Sequence, residues 1–325
     1  MPSETLYPGD DWTVPEGVYV ATVTLHGQAG EEQTTFQSSV GYGGRVEGDL
    51  SVSEGDTLYI RSSEGGDGYG GAAGGDSIDV RMGGTTLNDR VAVAAGGGGV
   101  GGSDDEYDDN PGGDGGPDTG EDGDDAVFSD GGTGGTQTSG GTGGAGANYG
   151  TDGRDGSLGT GGRGDGGGGA GYYGGGGGGS AQGDPGGGGG GGSNYVGGLS
   201  NIPYHGNERG GSDVTDYADP PKATIDWEPE SVQYLSVNID SDTSLSLNWS
   251  SPNNVSPDTY YIDRSTYDGG YSQIASTGGT NYTDTGLPQG AKYYYRVRAD
   301  GVQSSDTESA TTTLPAPSID EVTLE

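Results

Sequence analysis

The sequence predicts an all-β chain in two parts: a β-sandwich carrying a long polyglycine-rich, polyproline-II-like insertion, then a second β-sandwich. Three observations predict it. Short runs of alternating apolar residues, bounded by Gly, Pro and Asp turn signals, recur at both ends of the chain. Gly supplies 77 of the 325 residues and concentrates between Gly96 and about Gly211. The hydrophobic fraction is 27 %, well under the ~45–50 % of an ordinary domain, so one core spanning the whole chain is excluded.

The strands follow in order. Asp11 to Val14 precedes a turn at Pro15 and Gly17. Val18 to Leu25 alternates through two sets, of which Tyr19, Ala21, Val23 and Leu25 is the more apolar. Both faces carry β-formers, which suits an inner strand. Val46 to Val52 alternates with period two, Glu54-Gly55-Asp56 turns, and Thr57 to Arg61 puts Leu58 and Ile60 on one face. Ser77 to Met82 aligns Ile78, Val80 and Met82. Gly83-Gly84 reads as a hairpin turn leading into Arg90 to Ala95. After the Gly-rich excursion, Lys222 to Trp227 restores the pattern and closes the first sandwich at about 222–228.

The insertion has three subregions. Residues 103–130 are acidic. Residues 131–146 repeat Gly-Gly-X. Residues 161–198 hold near-pure Gly runs, Gly174 to Gly179 and Gly186 to Gly192. A flexible linker is one reading. The other is a packed lattice, because a period of three matches the three residues per turn of a polyproline-II helix. All X side chains then lie on one edge, and bare backbone on the other two approaches its neighbours. Ordering so much Gly is costly, so this reading expects an oligomer, with a trimer favoured.

Fifty Asp+Glu oppose 12 Lys+Arg, a formal net charge of −38. Nucleic-acid binding needs a basic footprint, so it is excluded as an expectation. Asp outnumbers Glu, and Lys occurs only at Lys222 and Lys292. This balance fits a halophile, where salt screens the repulsion and carboxylates keep the protein hydrated. A generic acidic extracellular protein is the plainer alternative. No Cys is present, so disulfides and thiolate metal sites are absent. Met1 to Trp12 has neither a basic n-region nor an apolar run, so no signal peptide is expected there. No apolar stretch reaches the ~20 residues of a membrane span.

The opening Trp12-Thr13-Val14-Pro15-Glu16-Gly17-Val18 resembles the start of the glycine-rich β-sandwich domain of tailed-virus fibres and some surface proteins. Leu50 to Leu58 is similar to that family's hairpin, and Val93 to Gly99 to its entry into the Gly tract. The resemblance covers about residues 1–229; the acidic segment 103–130 departs from it. Polyglycine lattices of this kind also resemble the tip adhesins of T-even phages. Residues 230–315 resemble a fibronectin type III domain, which leaves 316–325 as a tail. Leu245, Leu247 and Trp249 alternate inward before Ser251-Pro252, like that family's second strand. Tyr260 to Ser265 is similar to its third strand. Leu287 to Ala299 is similar to its strand-E to strand-F corner. The resemblance implies that Tyr293 is the tyrosine-corner residue and that Tyr295, Val297 and Ala299 face the core.

No catalytic set is visible, so no enzyme and no cofactor are expected. His26 ends a strand, and His205 is read into a turn with Pro203, Tyr204 and Gly206. No Gly-Lys-Ser/Thr follows the Gly loops. The acidic cluster Asp104, Asp105, Asp108 and Asp109 matches no EF-hand. It reads as a solvated loop, with weak Ca, Mg or Na binding as the alternative. Arg163-Gly164-Asp165 is a tripeptide expected by chance in this composition. Asn248, Asn254 and Asn281 head glycosylation sequons, with Asn248 expected to face out. Tyr is abundant (21 against 2 Phe) and falls inside Gly-rich loops. Tyr149, Tyr172, Tyr173, Tyr195 and Tyr204 are the receptor-binding candidates, since a Tyr face stacks on sugars and binds adaptably in loops. The alternative is that they plug lattice edges.

Together the resemblances and composition imply a virion structural protein of a haloarchaeal tailed virus. A tail fibre or receptor-binding adhesin is the first expectation. It would act by multivalent contact with host surface glycan or surface-layer protein, beside other virion proteins, and be extracellular after release. The alternatives are an architectural virion part (head decoration or baseplate adaptor) and a haloarchaeal cell-surface adhesion protein.

Overall fold

The computed structural model describes residues 1–32, 40–102, 110–207 and 220–314. Among them the chain is all-β, with one short 3-10 turn at Leu87–Asp89. It divides into two compact units. The larger comprises Met1–Val14, Val20–Val52 and Asp56–Trp227; the smaller comprises Pro15–Tyr19, Ser53–Gly55 and Glu228–Glu325.

The larger unit holds two antiparallel sheets. β1 (Ser3–Leu6), β9 (Lys222–Trp227), β3 (Val20–His26), β4 (Gly44–Ser51) and β8 (Leu199–Asn207) form a five-stranded sheet in that order. β2 (Asp11–Thr13), β5 (Thr57–Ser63), β6 (Ser77–Met82) and β7 (Arg90–Ala94) form the other. Facing residues of β3 and β4 pack on β6 and β7. β3 is the inner strand its two-faced pattern predicts, between β9 and β4. Its Ala21, Val23 and Leu25 are fully buried with Val46, Leu58, Ile60, Ile78, Val80 and Ile225.

Two local expectations are corrected, and two further features are added. Gly83-Gly84 is not a two-residue hairpin. Gly83 takes φ +81°, but the connection runs on through the 3-10 turn, where the Asp89 carboxylate accepts from Thr86 N at 2.8 Å and Thr86 Oγ1 at 2.7 Å. Pro203 to Gly206 is not a turn but part of β8. A proline is tolerated there because β8 is an edge strand, with a register shift opposite Glu47 and Asp49. Ser3–Leu6 is a strand, the opposite edge of the same sheet. Finally, β6 is buried on both faces apart from Met82, which is half-buried. On its second face the Arg81 guanidinium grips Asp79 in a fork, Nε to Oδ1 at 2.6 Å and Nη2 to Oδ2 at 2.9 Å. Burial pushes the Asp79 carboxyl up against the pull of Arg81.

Between β7 and β8 the described residues form no strand. Backbone bonds between segments replace the sheet ladder, and their register repeats every third residue. Gly186, Gly189 and Gly192 donate to the carbonyls of Gly102, Gly99 and Gly96 at 2.8–3.0 Å. Gly187 and Gly190 donate to Gly179 and Gly176, and Gly188 and Gly191 to Asp124 and Glu121. The carbonyls of Gly187 and Gly190 accept from Gly166 and Gly169. Those of Gly188 and Gly191 accept from Gly132 and Gly135, and those of Gly189 and Gly192 from Gly113 and Gly116. One Gly run therefore has six neighbours: three antiparallel ones it donates to and three parallel ones it accepts from. Three residues per turn distributes successive peptide groups in this way. Gly174–Gly179 is surrounded likewise, with bonds to Ser157 and Arg154, to Gly169 and Gly166, and to Thr133 and Asp130.

Side chains stay at the edge. In 131–146 Gly132, Gly135, Gly141 and Gly144 are buried, whereas Thr142 and Ala145 are exposed. At the edge, carboxylates replace missing neighbours. Asp122 and Asp125 accept from Gly134 N and Gly131 N, and Asp155 and Asp152 from Gly143 N and Gly146 N, all at 2.8–2.9 Å.

The smaller unit pairs β10 (Gln233–Ser241), β11 (Ser244–Ser250) and β14 (Asn281–Thr285) in one sheet. The other holds β13 (Ser272–Thr277), β12 (Tyr260–Ser265), β15 (Lys292–Ala299) and β16 (Glu308–Thr311) in that order. Leu245, Leu247, Trp249, Tyr260, Ile262, Tyr293, Tyr295, Val297 and Ala299 share its core. Trp249 meets Tyr260 edge-on at 5.6 Å. The Tyr295 hydroxyl donates to Asp284 at 2.7 Å, and Arg264 binds the same oxygen at 2.8 Å. On the outer face Arg296 and Arg298 converge on buried Asp263 at 3.0 and 2.6 Å.

Two predictions follow from this packing. A methyl added at Gly189 would overlap the Gly167 carbonyl oxygen. Gly189→Ala should therefore destabilise the larger unit by about 1–3 kcal/mol, the cost of overpacking, read as a lower urea midpoint. Ala145→Ser, at an exposed edge, should stay within ~0.5 kcal/mol. For Asp263, burial would raise the carboxyl, but the hydrogen bonds from Arg298 and Arg296 outweigh it and hold it below the usual range. A depressed carboxyl contributes stability above its unfolded pKa, ~3.9, and loses it as pH falls through the folded value. Melting temperature measured downward from about pH 6 should fall below ~pH 4, and Asp263→Asn should flatten that fall.

Candidate interaction site

The Gly region of the larger unit has two unlike ends. At one, its segments continue the sandwich strands: β7 runs on into Gly96–Gly102, and Gly27 N bonds Gly44 O at 2.9 Å beyond β3 and β4. At the other, the segments reverse in short turns that bear no strand. The antiparallel register places the turns 126–129, 147–150 and 181–184 there, together with 67–70 beside 164–165.

These turns are tied to one another. Ala126 N bonds Ser129 O at 2.8 Å, closing a turn whose central residues, Val127 and Phe128, are 74 % and 50 % exposed. Gly150 N bonds Ala147 O at 2.7 Å, with Asn148 at φ 50° and Tyr149 at φ 65°. Two positive φ values make a type I′ turn, and a bulky residue rarely adopts one. Tyr149 is 98 % exposed, so no packing among the described residues compensates the strain. Asn148 Nδ2 donates to Asp184 at 3.1 Å. Ser129 Oγ donates to Pro185 O at 3.1 Å, and Asp130 N to Ala145 O at 2.9 Å. Val127, Phe128 and Tyr149 thus project from neighbouring turns, with exposed Asp124, Asp125 and Asp130 around them.

The 67–70 turn adds Tyr69, 57 % exposed, with the Arg163 guanidinium 5.6 Å from its ring and Arg163 paired to Asp67. Asp165 points inward and accepts from Gly102 N at 2.6 Å. Burial pushes its carboxyl up. The Arg163-Gly164-Asp165 tripeptide is therefore not displayed as a unit.

The five tyrosine candidates are not brought together. Tyr149 stands at the turn end. Tyr172, Tyr173 and Tyr195 gather at the sandwich end. There Tyr172 stacks on Tyr195 at 4.2 Å and 10° and meets Tyr173 edge-on at 5.5 Å. Arg90 lies 4.7 Å over Tyr172 and donates to the carbonyls of Gly171 and Tyr172 at 3.1 and 3.2 Å. Tyr204 lies on β8 under Arg45 at 4.7 Å, and its hydroxyl donates to Asn207 O at 2.5 Å. Asp104, Asp105, Asp108 and Asp109 lie outside the described residues. Among the described residues no group of three or more His, Asp or Glu is arranged for a metal. Asn248 on β11 is exposed and sits directly opposite Asn281 on β14. The Asn254 amide donates to buried Glu230 at 2.5 Å. Val127, Phe128 and Tyr69 were not among the sequence candidates. Phe128 had a signal, being one of only 2 Phe in the chain.

The smaller unit's core and its two sheets, of three and four strands, frame the comparison with known families. A family model for the fibronectin type III domain matches residues 229–314. Residues 229–314 form a fibronectin type III domain. Solved structures similar to it include the sixth fibronectin type III domain of human fibronectin type III domain containing protein 3. That match has 22 % identity, covers 29 % of this chain and 94 % of that one, and has a TM-score of 0.26. An Fn3-like protein from Clostridium thermocellum is 33 % identical over 28 % of this chain and 95 % of its own, with a TM-score of 0.22. The FN5 domain of Drosophila Lar is 19 % identical over 26 % and 98 %, with a TM-score of 0.23. No curated protein matches the sequence. Among the described residues no helix is long and apolar enough to cross a membrane.

The two ends of the Gly region should respond oppositely to substitution. Tyr149→Gly relieves a positive φ at an exposed site and should raise the unfolding free energy by about 1 kcal/mol. Arg90→Ala leaves three carbonyls, of Leu87, Gly171 and Tyr172, and a stacked ring without their cation and should lower it by about 2 kcal/mol or more. Both are read from denaturant midpoints of the full chain.

Proposed function

We propose that this chain is a structural protein of a haloarchaeal tailed virus, a tail fibre or receptor-binding adhesin, with the turn end of its Gly region as the face that meets the host. The fibronectin type III domain is a module of adhesive and structural type, which agrees with this reading. The observation that carries it is the exposure of Val127, Phe128 and Tyr149 on neighbouring turns. Exposed apolar groups in one place mark a contact surface. The bonded backbone beneath holds the turns in place before contact, so little ordering entropy is lost on binding. A host surface glycan or surface-layer protein is the intended ligand. A homotrimer on a virion would multiply weak contacts. The low Lys content and net charge of −38 support a high-salt habitat, and lysis with the virus particle would deliver the protein outside the cell.

The test uses intact haloarchaeal cells in multimolar salt, incubated with labelled full chain. Tyr149→Ala, and Val127→Ser with Phe128→Ser, should each weaken cell binding about tenfold with the melting temperature unchanged. A Gln137→Ala variant at the sandwich end should bind like the native chain. Absence of cell binding by the native chain would replace the adhesin reading by the architectural one.

A further inference from the structure

The fibronectin type III domain holds a cleft of about 620 Å³ whose lining includes Ser231, Gln233, Tyr234, Gln303, Asp306 and Glu308. That volume is within the roughly 300–1,000 Å³ of small-ligand sites. Its walls are fixed from behind. Ser231 bridges Gln303, with Val232 N donating to Gln303 O at 3.2 Å and Gln303 N to Glu230 O at 2.8 Å. Buried Ser305 accepts from Val297 N at 2.9 Å and donates to Asp306 O at 2.9 Å.

Tyr234 is where β10 breaks its own alternation. Val232 and Leu235 both turn to the core, three residues apart, whereas a regular strand alternates every second residue. Between them Tyr234 takes φ 52°, and the register with β11 shifts between Gln233 and Ser236. This bulge swings the Tyr234 ring outward, 82 % exposed, at the mouth of the cleft. A bulky residue rarely adopts a left-handed backbone, and bulges re-aim side chains beside functional sites. Strain and cavity therefore coincide at one residue, which is the pattern of a functional site.

We infer that this cleft binds a neutral saccharide. Its side chains supply both kinds of hydrogen-bonding group. The Asp306 and Glu308 carboxylates accept, the Gln233 and Gln303 amides donate and accept, and so does the Ser231 hydroxyl. Among the described residues the side chains of Gln233, Tyr234, Gln303, Asp306 and Glu308 have no hydrogen-bond partner. A sugar hydroxyl both donates and accepts, so it uses the whole set, with charge-assisted bonds to the two carboxylates. An anionic ligand would meet those carboxylates with no Lys or Arg in the lining. A cationic group has donors only and would leave the amide N–H groups without acceptors. The Tyr234 ring adds an apolar face for sugar C–H groups with a polar tip beside it. The inference does not rest on the host-attachment reading, since the cleft belongs to the other unit and shares no residue with the turn end.

The experiment is saturation-transfer difference NMR of the full chain with neutral tetrasaccharides of glucose, mannose and galactose, at two salt concentrations. At least one sugar should take up saturation through its ring C–H protons, equally at both salt concentrations. Tyr234→Gly removes the ring and relieves the positive φ. It should weaken that binding about tenfold while the melting temperature stays level or rises. Tyr234→Phe keeps the ring and should retain most of the signal. Tyr149→Ala, at the turn end, should leave it unchanged. Absence of signal from all three sugars would overturn the proposal, as would a signal that survives Tyr234→Gly. Loss of signal with Tyr149→Ala instead would assign the sugar to the turn end. Displacement of the sugar by arginine amide, weakening as salt is raised, would make the cleft a cation site and overturn the proposal equally.

Discussion

The hydrogen bond between two bare backbones is the constraint from which the larger unit follows. Segments such as Gly96–Gly102 and Gly186–Gly192 bond directly, peptide to peptide, at 2.8–3.0 Å. At that separation a methyl group meets a neighbour's carbonyl, so the interior admits almost nothing but Gly. Glycine loses the most conformational freedom on ordering, and here bonds to several neighbouring segments oppose that loss. Side chains are driven to the edges and turns. The sites that can carry specificity in the Gly region are consequently few, and Val127, Phe128, Tyr149 and Tyr69 stand exposed at them.

The carboxylates have two different physical roles. Most are solvated and contribute to the net charge. Asp122, Asp125, Asp152 and Asp155 instead occupy lattice sites, spaced three apart in each pair and accepting the N–H groups an outer segment cannot give to a neighbour. Composition alone ascribes all of them to salt adaptation. The cations are rarer, and several have a definite place: Arg81 in a buried fork with Asp79, Arg90 over a tyrosine stack, and Lys292, Arg296 and Arg298 on one sheet face.

Alternation made the inner strands legible. β3, β11 and β15 carry apolar residues at every second position, and those residues are the buried ones. Edge strands were illegible for the same reason. β8 has Pro203 and mostly polar side chains, and β1 has one buried residue; both are held by a partner strand rather than by an apolar face. The second face of β6 was hidden because a buried Asp79–Arg81 pair reads as a solvated one. In the Gly region, sequence shows the period but not which segment meets which, since all are chemically alike. Tyr149 could be proposed from its loop, but its separation from Tyr172 and Tyr195 depends on how the chain folds back.

The pairing of Gly96 with Gly192 and of Gly102 with Gly186 also has a kinetic side. The run at the centre of the lattice comes last along the chain, and its partners lie up to about a hundred residues earlier. Loop-closure entropy must be overcome before those contacts form, and such long-range topology folds slowly. A nascent chain therefore lacks the run with six neighbours until Gly192 has been synthesised. Once closed, any one segment is released only by breaking bonds to several neighbours together. Slow entry and slower exit make the region durable by rate as well as by free energy.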